Sequence, residues 1–344
     1  MNKWISLLGL TIGCGLIIGC SGSRESGSGN QAESTSADSK VITIALLPKL
    51  KGISYFTSCA EGAQEAADEL GNVELIYNGP TTASADKQAQ MIDKWRLQGV
   101  DVIAVAPNDP AVVSESLQKA QQAGITVISW DADAQAADRS YFVNQATAAA
   151  IGGGMVDAMA KDLGGENAAG EVAIVSATAT AANQNEWMTH MQQRLKSYPN
   201  LKLVATKYPG EDQNAAFQDS QDLIKKFPDL KGIFGISSVS FPGAAEAVKQ
   251  SGRTGEILVT GLSTPNDMKP YVKEGQVKTV VLWNTRDLGY LTVYAAAALK
   301  SGELTGGATE FTAGRLGKKQ ISGDQILLGD ILLFTPANID QFDF

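Results

Sequence analysis

A single histidine in 344 residues leaves almost no room for imidazole catalysis. That residue, His190, lies in a stretch of helical spacing four residues after Glu186, where it fits a helix-surface pair. No Ser-His-Asp arrangement can be assembled without another. Cysteine is nearly as scarce, at three. Cys14 and Cys20 sit near the N-terminus and leave Cys59 alone, so no disulfide framework staples the chain. Metal-ligand spacing of Cys and His is missing, as are a Gly-x-x-x-x-Gly-Lys-Ser/Thr loop and a Gly-x-Gly-x-x-Gly after the first strand. Lys and Arg number 28 against 37 Asp and Glu, a net charge of −9 with no basic stripe, which sets nucleic acid aside as a partner. Asp131 and Asp133 resemble an acid/base pair only in spacing. Residues i and i+2 at a strand end point to the same side, and no second carboxylate cluster is evident across from them. The expectation is a protein that is not an enzyme and has no cofactor or metal.

What is present describes a globular chain of two-domain length, 44% hydrophobic and 19% charged. Lys3, an apolar run from Trp4 to Ile18 and Gly19-Cys20 read as a secretory leader over residues 1–19. Ile17-Ile18-Gly19-Cys20 resembles a bacterial lipobox, which makes Cys20 the expected lipidation site. Ser21 to Ser39 has no bulky apolar residue and reads as part of a flexible tether over residues 20–40. From Val41 onward short apolar runs alternate with segments of helical spacing. Val41–Leu47, Val73–Tyr77, Val102–Ala106 and Thr126–Ser129 are expected as strands of a parallel α/β sheet. Tyr141–Asn144 adds a short one, and the rhythm restarts with strands expected at Val172–Ser176, Leu201–Thr206, Gly232–Ile236, Ile257–Leu262 and Thr279–Trp283. After a long helix expected over Thr285–Lys300, the tail is less regular. Two consecutive doubly wound units without a low-complexity linker suggest two lobes facing a cleft.

Ligands of open α/β sheets sit outside the carboxyl ends of the strands, and there the polar and aromatic residues gather. Lys49, Tyr55 and Phe56 follow the first strand, Asn108 the third, and Trp130, Asp131 and Asp133 the fourth. In the second half the candidates are Asn183, Gln184, Asn185 and Trp187 at a helix start, then Ser238, Trp283 and Asn284. Aromatic faces beside carboxylates, amides and a lysine suit a polyhydroxyl ligand, because each buried donor or acceptor needs a partner. Other roles stay open: Asn183 with Glu186 also fits a capping box, Trp187 also fits packing, and Lys49 also fits the surface.

At these residues the chain resembles the type I periplasmic sugar-binding proteins of ABC importers, in particular the branch of rhamnose-binding and autoinducer-2-binding proteins. Pro107-Asn-Asp-Pro, Ile128-Ser-Trp-Asp, Asn183-Gln-Asn-Glu-Trp, Trp283-Asn and Gly314-Arg-Leu-Gly are similar to the rhamnose type. Pro48-Lys-Leu, Phe56-Thr-Ser and Ser263-Thr-Pro-Asn are similar to the autoinducer-2 type. The resemblance implies a Venus-flytrap α/β fold, two doubly wound parallel-sheet lobes joined by crossovers near Asn144, Asn284 and Thr312. Residues 41–144 with 285–312 would form the N-terminal lobe, and 145–284 with 313–344 the C-terminal lobe. It implies ligand contacts from Lys49 and Asp131 on one side and Asn183 and Gln184 on the other. It implies capture of a monosaccharide, a rhamnose-like deoxyhexose for preference, and delivery to an ABC permease of the inner membrane. Autoinducer-2 binding, or a receptor docking on a sensor kinase, is the alternative. A monomeric, lipid-anchored protein of the periplasm or cell envelope completes the expectation.

Overall fold

The computed structural model describes residues 40–344; the expected leader, Cys20 and the tether as far as Ser39 lie outside the described residues. The first half runs β1 (Ile42–Leu47), α1 (Ser54–Leu70), β2 (Val73–Tyr77), α2 (Ala85–Gln98), β3 (Val102–Val105), α3 (Pro110–Gln122), β4 (Thr126–Trp130) and β5 (Phe142–Asn144). Ile44 to Leu47 and Val102 to Val105 are fully buried. Helices cover both faces of these parallel strands, so their apolar runs are continuous rather than alternating. Local chemistry sets the helix ends. Ser84 accepts from the Lys87 N–H at the start of α2, and Asp109 caps α3 just ahead of Pro110 in its first turn. Gly71 and Gly99, both left-handed, close α1 and α2.

The chain then builds α4 (Ala148–Asp162), β6 (Gly170–Val175), α5 (Ala182–Leu195), β7 (Leu201–Lys207), α6 (Gln213–Lys226), β8 (Leu230–Gly235), α7 (Ser240–Gln250), β9 (Leu258–Gly261), α8 (Pro265–Glu274) and β10 (Val280–Leu282). Helix α9 (Thr285–Ser301) returns to pack on α1 and on β1, β3, β4 and β5. Four short strands finish the fold: β11 (Glu310–Thr312), β12 (Lys318–Ser322), β13 (Gln325–Leu327) and β14 (Leu332–Phe334). One sheet has the order β11-β12-β13-β5-β4-β3-β1-β2 and the other β14-β10-β9-β8-β6-β7. The chain therefore passes between lobes at 145–147, at 283–284 and at 328–331.

The last position corrects the expected crossover near Thr312. Residues 313–327 stay with the first lobe, because β12 and β13 extend its sheet and Ile326 pairs with Val143. These strands are short and carry Lys318, Lys319 and Gln320, so they give no apolar run from which to read a strand.

An ion cluster around a buried guanidinium secures this extension. Arg139, 6% exposed, donates to both carboxylate oxygens of Asp133 at 2.9 and 2.6 Å and also to Asp324, just ahead of β13. Both carboxylates keep contact with water, which discounts the pairing but leaves the guanidinium dependent on them. Arg139→Leu is expected to cost about 2 kcal/mol, seen as a midpoint lower by about 4–8 °C in thermal melting. A midpoint within one degree of the parent would show that the cluster holds nothing in place.

Candidate functional site

The carboxyl ends of both sheets face one cavity, about 390 Å³ of atom-free space including its mouth. Lys49, Ile53, Tyr55, Phe56 and Asp131 line it from the first lobe; Asn183, Gln184, Trp187, Glu211, Ser237 and Ser238 line it from the second. Trp283 enters from the crossover after β10.

Asp131 is the centre of the first side. Its φ of 62° is the one positive value outside glycine among the described residues, and the Ala132 N–H bonds back to the Trp130 carbonyl at 2.6 Å. That left-handed turn, which Asp tolerates better than most residues, ends β4 and turns the carboxylate into the cavity. Tyr55 donates its hydroxyl to Asp131 Oδ1 at 2.7 Å, and Trp283 Nε1 donates to the Tyr55 oxygen at 3.0 Å. The Asp131 carbonyl accepts from Gln145 Nε2 at 3.1 Å and from Asn183 Nδ2 at 3.3 Å, the latter across the cleft. Lys49 Nζ also crosses, donating to Asn183 Oδ1 at 2.9 Å. Gln184 Oε1 is occupied by the Ser176 hydroxyl at 2.8 Å and the Ala177 N–H at 2.9 Å, which leaves its amino group for the cavity.

Burial pushes the Asp131 carboxyl above its ordinary range, against the opposing pull of Lys49 and the Tyr55 hydrogen bond. Burial likewise raises the Tyr55 phenol, with the Asp131 charge adding to it, so that phenol stays a donor. Aromatic walls complete the cavity. Trp283 meets Tyr55 and Trp187 edge-on at centroid distances of 6.0 and 6.1 Å.

Nine of the fourteen residues singled out from sequence line this cavity: Lys49, Tyr55, Phe56, Asp131, Asn183, Gln184, Trp187, Ser238 and Trp283. Five do not. Trp130 is fully buried in the core, packed edge-on against Phe56 with its Nε1 on the Ala104 carbonyl. Asp133 serves Arg139 and the Ser129 hydroxyl, because the left-handed Asp131 breaks the alternation that would have put both carboxylates on one side. Asn108 lies behind Lys49, donating to its carbonyl at 2.7 Å. Asn185 is exposed and donates to the Ala179 carbonyl, and Asn284 caps α9 by accepting from the Asp287 N–H. Asn183 is not a cap: Ala181 holds that position, and Asn183 sits within the first turn of α5. Glu211, after β7, escaped sequence inspection, and it is a carboxylate on the opposite wall from Asp131. Its signal was position alone, since it follows a strand C-terminus in a Tyr-Pro-Gly-Glu-Asp stretch that reads as a solvated turn.

Two parallel-sheet lobes, three crossovers and polar strand ends facing a shared cavity define a two-lobed α/β binding protein of the type I periplasmic class. The chain belongs to the periplasmic binding protein family, whose domain model matches residues 44–304. The ribose import binding protein of Bacillus subtilis is 25% identical over 311 residues, 88% of this chain and 95% of that protein. A solute-binding protein of an ABC transporter from Clostridium phytofermentas, solved with bound L-rhamnose, is 30% identical with a TM-score of 0.83, over 88% of this chain and 98% of that one. LsrB from Clostridium saccharobutylicum in complex with AI-2 is 28% identical with a TM-score of 0.84, over 88% and 100%.

Proposed function

We propose that this chain is the solute-binding component of an ABC sugar importer and captures a neutral monosaccharide between its lobes without transforming it. The observation that carries this is the shared cavity. Indoles at Trp187 and Trp283 offer faces for C–H surfaces, while Lys49 and Asp131 from one lobe oppose Asn183 and Gln184 from the other. A ligand bonded to both lobes favours the closed arrangement, the step that a transport partner recognises in this class. The sugar-binding relatives support the ligand class. A rhamnose-like deoxyhexose is the favoured ligand, because the stretch Asn183-Gln-Asn-Glu-Trp, which supplies three residues of the cavity wall, is similar to the rhamnose type. In the cell envelope, Cys20 would carry the lipid and the chain would dock, as a monomer, on an inner-membrane permease.

The test is thermal melting of the full chain against L-rhamnose, L-fucose, D-ribose, D-xylose and autoinducer-2. A ligand at about 100 times its Kd adds about 2.7 kcal/mol, a midpoint rise of about 5–10 °C for a chain of this size. A rhamnose response names the class and supports the importer; a response to autoinducer-2 alone moves the function to signal uptake, the reading that the likeness to LsrB favours. Silence across the panel with a cooperative melt would sink the sugar assignment.

A further inference from the structure

The cavity holds two carboxylates, one from each lobe, and one cation. Lys49 and Asp131 are the charged groups that face Glu211, and the Ser237 side chain lies against it. Asp131 is served by Tyr55 and opposed by Lys49, whose Nζ is engaged on Asn183. Glu211 is different: the Ser237 side chain hydrogen-bonds its carboxyl group, but its Oε2 atom is buried and has no hydrogen-bond partner among the described residues. A buried carboxylate oxygen without a donor is costly, and a group that supplies one is drawn to it. Trp283 Nε1 serves Tyr55 and Asn183 Nδ2 serves a backbone carbonyl, while Asn183 Oδ1 and Gln184 Oε1 are already accepting. Glu211 Oε2 is therefore the amide or carboxylate acceptor left over on the second-lobe side, and the two carboxylates of the cavity outnumber its cation.

We infer that Glu211 is a specificity-determining residue, the second-lobe acceptor for hydroxyl donors of a neutral polyhydroxyl ligand and the charge that rejects sugar acids and sugar phosphates. This rests on the assignment of the cleft to a sugar. A hydroxyl can donate to Glu211 while accepting from Gln184 or Ser238, whereas a carboxylate or phosphate brings only acceptors and a like charge. Glu211 thus discriminates by an unfavourable contact with the wrong ligand as much as by a good one with the right ligand.

The experiment pairs parent and Glu211→Gln. Calorimetric titrations use L-rhamnose, D-ribose and D-galactose against D-galacturonate and ribose 5-phosphate. The parent is expected to bind neutral sugars only, and Glu211→Gln to weaken that binding by about tenfold or more while narrowing the gap to the anionic analogues. A second arm needs no ligand. Burial raises the Glu211 carboxyl, so its ionised form costs the fold stability above its folded pKa, and the cost vanishes once both states are protonated. Glu211→Gln is therefore expected to melt above the parent at about pH 8 and level with it at about pH 3.5, below the unfolded pKa of about 4.3. Retained neutral-sugar binding with unchanged discrimination in the variant overturns the role of Glu211 alone. Equal melts at the higher pH overturn the buried, unpartnered Oε2 on which that role stands. A parent that binds no sugar while the pH difference persists overturns the sugar assignment, and this inference with it.

Discussion

Asp131→Asn is expected to abolish ligand capture, weakening the best-bound sugar by about a hundredfold, while the free protein becomes no less stable. A hydrogen bond to a charged acceptor is worth about 1.5–3 kcal/mol, and Asp131 is the first lobe's carboxylate in the cavity. Asparagine isolates that effect. Its carbonyl can still accept from the Tyr55 hydroxyl, and it tolerates the left-handed φ of 62°. Asp131→Ala should lose binding equally but add about 1–2 kcal/mol of backbone strain, so the two variants separate recognition from fold. The pH dependence has a definite sign. Because burial holds the Asp131 carboxyl above its unfolded value, its contribution to stability is fully present below the unfolded pKa and is lost as pH rises through the folded one. Asparagine lacks that loss, so its advantage over the parent should grow from mildly acid to neutral pH. Titration calorimetry and melting across pH check both statements; an asparagine variant that binds like the parent would put the recognition elsewhere.

The second large effect lies away from the cleft, where α1 and α9 cross. A Cβ on Gly289 would stand 1.8 Å from the Cys59 carbonyl oxygen, and one on Gly62 would stand 1.8 Å from that of Arg286. The helices run side by side in the same direction, the start of α1 beside the start of α9, and Ser58 and Thr285 share a hydrogen bond of 2.6 Å next to the contact. Backbone occupies the space on both sides, so no side chain can turn away to admit a methyl group. Gly289→Ala must push the helices apart, uncovering Cys59, Ala63 and Leu288, all fully buried. The expected cost is about 3 kcal/mol or more, at the upper end for overpacking, seen as a midpoint lower by about 6 °C or more. Gly62→Ala should do the same. A loss under one degree in either would mean that the crossing is looser than its geometry.

How much of this was legible beforehand follows from what each segment must bury. Strands such as β1 and β3 are covered on both faces, so their apolar runs stand out from the polar helix surfaces between them, and the two doubly wound units could be read directly. Strands β11 to β14 are three to five residues long and partly exposed, so no periodicity marks them. The lining of the cavity was legible wherever position at a strand end decided it. It was misread wherever a single backbone angle or rotamer decided it. Trp130 and Asp131 are neighbours, yet one points into the core and the other into the cleft. Asp131 and Asp133 share a spacing but not a side, because one left-handed residue lies at the end of the strand.

The late return of the chain has a consequence for its integrity. Strand β13 seals the edge of β5, and Asn144 and Gln325, 181 positions apart, join side chains at that seam. A few residues on, β14 seals β10 in the other lobe. Neither lobe is thus a continuous piece that could be excised and produced alone. Proteolytic trimming back past Gln325 would strip a strand from both sheets at once and bare two rows of unsatisfied amides and carbonyls, each a template for strand addition by another chain. Damage confined to the last twenty residues would therefore yield a sticky protein rather than a shortened one, even though the cleft-lining residues would all still be present.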